Sequence, residues 1–353
     1  SSLSILALDT EFIRVDTFFP KLGLIQVCDD NGSYLLDPLM LTDWTAFNAI
    51  LTNTLITKVL HSCSEDLVVF KQFFGNLPSP IFDTQKAAAF LGFGYSISYQ
   101  NLVKEILKIE INKGETRSDW LRRPLTGEQC SYAALDVAYL PEIYRHLRKL
   151  LSEKFRLDWF QKECREMIVS ANSEVSDSNW ESCHQSISSA WKLDNFQLAV
   201  LQRLCIWREK EARRRDKPRS WIAKDSDLIC LAEKIPKDRS SLFSISELSK
   251  SLLHKDSDNL LEIITNPHLG EPLKLATIDP PLSAEMRGYL KKCQAVIQQK
   301  AEEIGIAPEM LARKKQLLPL VTEVSKNKDF EWPESLSGWR QPLLESAIRQ
   351  ALC

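Results

Sequence analysis

The sequence predicts an α/β N-terminal domain followed by two all-α helical domains. Three observations carry this. Short runs of strand formers at 4–12, 22–28 and 33–36 form a meander, and later runs at 57–61 and 81–83 alternate with helical stretches, which describes a mixed sheet flanked by helices. From Leu193 onward only helical periodicity appears. Pro267 and the pair Pro280-Pro281 then divide that helical part in two. A length of 353 residues suits two or three domains. The expected division is an α/β domain over 1–155, a polar, partly Ser-rich connector over 156–192, and helical domains over 193–270 and 280–353.

Taken in order, Asp30-Asn31-Gly32 marks a hairpin between the second and third strands. Trp44 to Leu51 is helical, and Thr57 to His61 is a fourth strand. Ser64 is expected to cap a helix that Gly75 ends. A short strand at 81–83 leads into a helix at 84–91, and Tyr99 to Leu107 is another. A charged, irregular loop over 115–124 precedes one long helix, expected from Thr126 to about Lys154. In the C-terminal half, helices are expected at about 195–216, 226–233, 246–253 and 257–265, and then over 283–353.

Composition narrows the partners. The net charge is -2, so any surface for a polyanion must be local. Nine scattered cysteines without a CxxC pair argue for reduced thiols and a cytoplasmic protein. No apolar run reaches transmembrane length, so no membrane partner is expected. The chain starts almost directly on the first strand and without Met, so its natural N-terminus is expected to be missing.

The chemistry centres on Leu6-Ala7-Leu8-Asp9-Thr10-Glu11-Phe12. Residues i and i+2 of a strand share a face, so Asp9 and Glu11 project together from the end of a buried strand. Two carboxylates in that position repel and are costly to desolvate, and a hard divalent cation removes the cost. A lone D-x-E is usually a solvated strand end, so the remaining stretches decide. In His61-Ser62-Cys63-Ser64-Glu65-Asp66-Leu67, Asp66 lies in the first turn of a helix, where the dipole favours a carboxylate; Glu65 is about 100° around the helix and faces elsewhere. In Tyr132-Ala133-Ala134-Leu135-Asp136, the Tyr and the Asp share a helical face, and small residues between them permit close approach to a sheet.

Together these stretches resemble the three motifs of the DEDD superfamily of 3′–5′ exonucleases, and Tyr132 is the mark of its DEDDy branch. Phe12-Ile13-Arg14, the run from Phe19 to Gln26, Asp83-Thr84-Gln85 and the run from Arg117 to Leu125 are similar to bacterial ribonuclease D sequences. Leu201 to Asp225 resembles a helicase-and-RNase-D C-terminal (HRDC) domain, and Gly305 to Leu318 with Gly338-Trp339-Arg340 resembles a second, degenerate one. The resemblance implies an RNase H-like sheet and two divalent metal ions, Mg²⁺ or Mn²⁺, held by Asp9, Glu11, Asp66 and Asp136. Asp9 would serve both ions, and Tyr132 would orient the attacking water. It implies removal of 3′-terminal nucleotides as 5′-monophosphates, from RNA with a single-stranded 3′ end such as precursor tRNA, by a monomer. Phe12, Leu22 and Gln26 become candidates for holding the terminal nucleotide; Arg117, Arg122 and Arg123 for backbone phosphates; and Arg213, Arg214 and Arg215, in the most basic stretch, for RNA beyond it. The competing expectations are a DNA-directed 3′–5′ exonuclease and an inert nuclease fold acting as a nucleic-acid-binding adaptor. No P-loop supports the former, and the presence of all four carboxylates opposes the latter.

Overall fold

The computed structural model describes residues 4–111, 118–175, 177–266, 278–327 and 329–352, apart from the side chains of 174, 175 and 177–179. The chain divides into two compact units. The first holds residues up to 13, 22–172 and 282 onward; the second holds 14–21 and 173–281.

In the first unit the expected mixed sheet is present. Its strands are β1 (Ile5–Ile13), β2 (Lys21–Asp29), β3 (Gly32–Leu36), β4 (Thr57–Leu60) and β5 (Ile81–Asp83), in the order β3-β2-β1-β4-β5. β1 pairs parallel to β4, and β4 parallel to β5, while β2 and β3 form the hairpin. The strand carrying Asp9 is therefore central. Helices α1 (Thr45–Thr52), α2 (Ser64–Phe74), α3 (Thr84–Phe90), α4 (Tyr99–Leu107), α5 (Gly127–Ala138), α6 (Leu140–Glu153) and α7 (Leu157–Val175) follow in sequence between and after the strands. Gly75, in the left-handed conformation, ends α2 as expected. Ser64 does not cap that helix: Cys63 occupies the cap position without a side-chain bond. The single long helix expected from Thr126 is two, broken at Tyr139. Pro141 lacks the N–H that a continuing helix needs but is well placed in the first turn of α6. The expected connector over 156–192 begins with the nineteen-residue helix α7, because Phe160, Cys164 and Ala171 give it a buried stripe.

The second unit is helical. After a 3₁₀ segment at Asp177–Ser186 come α8 (Asn195–Arg214), α9 (Arg219–Ile222), α10 (Asp225–Lys234), α11 (Arg239–Phe243) and α12 (Lys250–Thr265) around a core that includes Leu201, Leu204, Leu228, Leu231 and Leu260. The two segments expected at 246–253 and 257–265 are the one helix α12. Phe18, from the connection between β1 and β2, belongs to this core.

Helices α13 (Ala284–Ile304), α14 (Pro308–Leu311), α15 (Lys314–Asn327) and α16 (Gln341–Leu352) complete the first unit. Here the structure differs from the expected separate domain at 280–353, because these helices share a core with the nuclease elements. Arg156 donates to the carbonyls of Phe90 (2.5 Å), Gly305 (2.9 Å) and Ile304. Arg340 and Glu163 form a buried ion pair at 2.6 Å, and the rings of Trp159 and Trp339 stack 4.7 Å apart. Removing one member of a buried ion pair leaves an uncompensated charge, at a cost of about 3–5 kcal/mol. A chain ending at residue 281 should therefore melt well below the parent or aggregate. A thermal scan showing an unchanged transition for the nuclease part would mark these helices as an appendage.

Candidate active site

β1 ends between two helices that present carboxylates to it. One oxygen from each of Asp9, Glu11 and Asp136 lies within 4.8 Å of the others. Asp66 is outside that triad but close enough to act on it, and its Oδ1 accepts a hydrogen bond from the Thr10 hydroxyl. Among the described residues, no Lys or Arg forms an ion pair with any of the four. Burial pushes all of them up. Asp9 stands well above the usual carboxylate range, first through burial and then through repulsion from Asp66, Asp136 and Glu11. Glu11 is pushed up to about 8 by burial and by Asp136 and Asp66. Asp136 rises to about 7 through burial, opposed by a hydrogen bond from Tyr132. Asp66 rises to about 6 through burial, opposed by the Thr10 hydroxyl. Such a set of converging oxygens without a cation of the protein's own fits a hard divalent metal.

The supports of this cluster are residues to which sequence reasoning had assigned no role in the site, although Asp83, Thr84 and His61 lie in runs named above. The buried Asp83 accepts from the backbone N–H of Cys63 (2.9 Å), at the start of α2, and from Lys86 N–H (2.9 Å). It thus fixes the helix end that carries Asp66. His61 bonds Thr84 Oγ1 at 2.9 Å, and that hydroxyl donates to the Leu60 carbonyl at 3.0 Å. The Tyr99 hydroxyl donates to the Leu135 carbonyl (2.9 Å) and accepts from Tyr139 N–H (3.2 Å), which secures the end of α5 where it breaks. The start of α5 is closed by Thr126 and Gln129 in a reciprocal capping box. Tyr132, beside Asp136, has its hydroxyl pKa raised by burial and then by Asp136, and its ring lies 6.2 Å from that of Trp120.

The nucleic-acid candidates separate. Phe12 is half-buried against the main core, and Leu22 is buried within it. Gln26 is fully buried, with no partner for either amide atom among the described residues, so it offers no open surface for a nucleotide. Arg117 lies outside the described residues. Arg122 is exposed. Arg123 is engaged by Asp37 through two bonds (2.6 and 2.7 Å) and by the Gly23 carbonyl (2.7 Å), so its guanidinium ties the loop before α5 to the β2–β3 hairpin. A Cβ on Gly23 would lie 2.7 Å from the Trp120 carbonyl oxygen, a closeness that requires glycine there. In the second unit, Arg213 pairs with Glu209 and Arg215 with Glu211 and Asp256; Arg214 pairs with Glu211 at a site where its side chain is 67% exposed.

Comparison with known proteins gives the same outline. A family model described as a 3′-5′ exonuclease matches residues 1–152. An HRDC domain model matches 197–264, and a model of the C-terminal HRDC domain of ribonuclease D matches 285–348. The ribonuclease D of Pseudomonas paraeruginosa is 42% identical over 348 residues, covering 98% of this chain and 92% of that one. The chain belongs to the ribonuclease D family. As a ribonuclease D it is a 3′–5′ exoribonuclease, and neither a DNA-directed enzyme nor an inert adaptor is favoured. The ribonuclease D of Haemophilus influenzae is 37% identical, covering 98% of this chain and 87% of that one. The crystal structure of Escherichia coli RNase D, described as an exoribonuclease involved in structured RNA processing, superposes with a TM-score of 0.86 at 37% identity, covering 99% of this chain and 93% of that one. No helix among the described residues is long and apolar enough to cross a membrane.

Proposed function

We propose that this ribonuclease D trims precursor tRNA and other small structured RNAs from a single-stranded 3′ end, releasing nucleoside 5′-monophosphates, as a cytoplasmic monomer. The observation that carries the chemical part is the convergence of Asp9, Glu11 and Asp136 within 4.8 Å, all with raised pKa values and without a cationic partner among the described residues. The substrate class rests on the E. coli relative described as involved in structured RNA processing.

Asp9, Glu11 and Asp136 would hold one divalent ion, and Asp9 with Asp66 a second, Mg²⁺ or Mn²⁺. When bound, such ions neutralise phosphate charge and lower the pKa of water. The chain's own residues supply position. The Thr10 hydroxyl and Asp83 hold Asp66 in place. Tyr132 keeps its proton at neutral pH, so it acts as a hydrogen-bond donor that aligns the nucleophile, not as a phenolate base. Phe12 and Leu22 shape the wall of the site, and Arg122 and Arg117 meet backbone phosphates. Arg123 positions the segment that carries Arg122. In this reading residues 1–155, with α7 and the helices from Ala284 packed into the same core, form the catalytic part, and the helical stretch 193–270 guides structured RNA, with Arg214 the most accessible of the three arginines and Arg215 sharing its partner Glu211.

The test is a 3′-extended tRNA transcript, a matching single-stranded DNA and a 3′-phosphorylated RNA, each incubated with Mg²⁺, Mn²⁺ or EDTA. Stepwise release of 5′-monophosphates from the free 3′-hydroxyl RNA, absent with EDTA, is the expected result. Release of 3′-monophosphates, or undiminished release in EDTA, would overturn it.

A further inference from the structure

We propose that Asp216 is a positioning residue for the exonuclease site: it pins the connection that leaves the catalytic strand just after Glu11. This rests on the reading of Asp9, Glu11, Asp66 and Asp136 as the site. The connection Arg14–Pro20 joins β1 to β2, yet it packs with the helical unit of residues 173–281. One oxygen of Asp216 accepts from two consecutive backbone N–H groups of that connection, Phe18 at 2.9 Å and Phe19 at 3.0 Å. Bonds to a carboxylate are the stronger kind, and two on one oxygen fix a peptide in direction as well as place.

The surroundings are built for the same purpose. The Phe18 ring is 6% exposed and has the guanidinium of Arg213 at 4.9 Å and that of Arg219 at 4.8 Å. The buried Glu209 pairs with both arginines, which keeps the two planes against the ring. Lys217 Nζ donates to the Asp16 carbonyl at 3.1 Å, and Arg14 Nε to the Phe18 carbonyl at 3.0 Å. Asp216 itself adopts a left-handed conformation (φ 46°), uncommon for a residue with a side chain, directly after the cap of α8. That conformation closes the helix end: the Asp216 N–H donates to the Arg213 carbonyl (3.2 Å) and the Lys217 N–H to that of Ala212 (2.9 Å), which holds the Asp216 side chain at a fixed point.

The covalent path supplies that function. Glu11 stands two residues before Ile13, the last residue of β1, and the anchored peptide starts five residues after Ile13. Within Arg14–Pro20 the internal side-chain bonds are those of Arg14 to Phe18 and Thr17 to Phe19, so the connection depends on its outside anchors for a fixed course. Freed from Asp216, it would regain conformational freedom that reaches the end of the strand and Glu11. The helical unit then serves hydrolysis itself, through the chain that it holds, and not RNA capture alone.

Two substitutions separate the roles. Asp216→Gly keeps the left-handed backbone at no steric cost and removes the acceptor; Asp216→Asn keeps an oxygen acceptor and tolerates the same conformation. On a four-nucleotide RNA, Asp216→Gly is expected to lower kcat about tenfold, equivalent to about 1.4 kcal/mol, with KM little changed. It should also raise the Mn²⁺ concentration for half-maximal activity and expose the Phe18 and Phe19 amides to hydrogen exchange in the absence of metal. Asp216→Asn should restore all three to within about twofold, about 0.4 kcal/mol. If Asp216→Gly does not fold, Phe18→Leu, which removes the ring from between the guanidinium groups, should give the same pattern. Parent-like kcat in Asp216→Gly despite lost amide protection would overturn the proposal, as would a change confined to KM. Asp9→Asn, run alongside, distinguishes the two failures, since turnover in that variant would sink the site itself.

Discussion

Asp9→Asn should abolish nucleotide release and, in metal-free protein, raise the melting temperature. The first effect follows from the placement of Asp9 among three other carboxylates: a neutral amide cannot supply the anionic oxygens that a divalent ion needs there. A loss of about 10³-fold or more, about 4 kcal/mol in barrier, is expected. The second follows from proton linkage. Glu11, Asp136 and Asp66 have folded-state values of about 8, 7 and 6, above those of free carboxyl groups, which lie near 4. Between these limits the folded chain binds more protons than the unfolded one, so stability falls as the pH rises from about 4 towards 8. Asp9, held well above the usual carboxylate range by burial and by Asp66, Asp136 and Glu11, adds to this cost, and Asn in its place removes that share. The gap in melting temperature between variant and parent should therefore widen from pH 5 to pH 8, and Mg²⁺ should narrow it by stabilising the parent. Near-normal turnover in folded Asp9→Asn would reject the site. A gap that does not change with pH would reject the mutual repulsion.

Tyr132→Phe should lower the single-turnover rate by about 10²–10⁴, the range of a positioned acid–base group. The substitution keeps the ring and its packing with Trp120 and Leu24 and removes the hydroxyl beside Asp136. RNA affinity should change little. Asp136 loses a hydrogen bond that lowers its pKa, so the pH at which activity appears should move upward. A rate within about twofold of the parent, about 0.4 kcal/mol, would leave Tyr132 as a packing residue.

The features legible in the sequence were those encoded over a few residues. The period of two placed Asp9 and Glu11 together, and the period of the helix did the same for Tyr132 and Asp136. The hairpin at Asp30 to Gly32 and the stop at Gly75 are equally local. Pro141 was a local signal too, passed over because the apolar spacing continues on both sides of it. What remained hidden depends on partners far along the chain. Arg123 resembles a free phosphate ligand until Asp37 is seen against it, and Gln26 resembles a contact residue until its burial is known. Nothing near Arg156, Glu163 or Phe18 announces that they meet Gly305, Arg340 and Asp216.

That distance has a consequence for synthesis. The chain leaves the nuclease unit at residue 172 and returns to it at 282, so the bonds of Arg156 and Glu163 wait for residues that a ribosome adds about 150 positions later or more. At the usual elongation rates the wait is about 10–30 s. During it the helical stretch 173–281 can close on itself and take hold of the already emerged Phe18. The order of translation thus lets the insert mature first and leaves the nuclease core open until the C-terminal helices arrive.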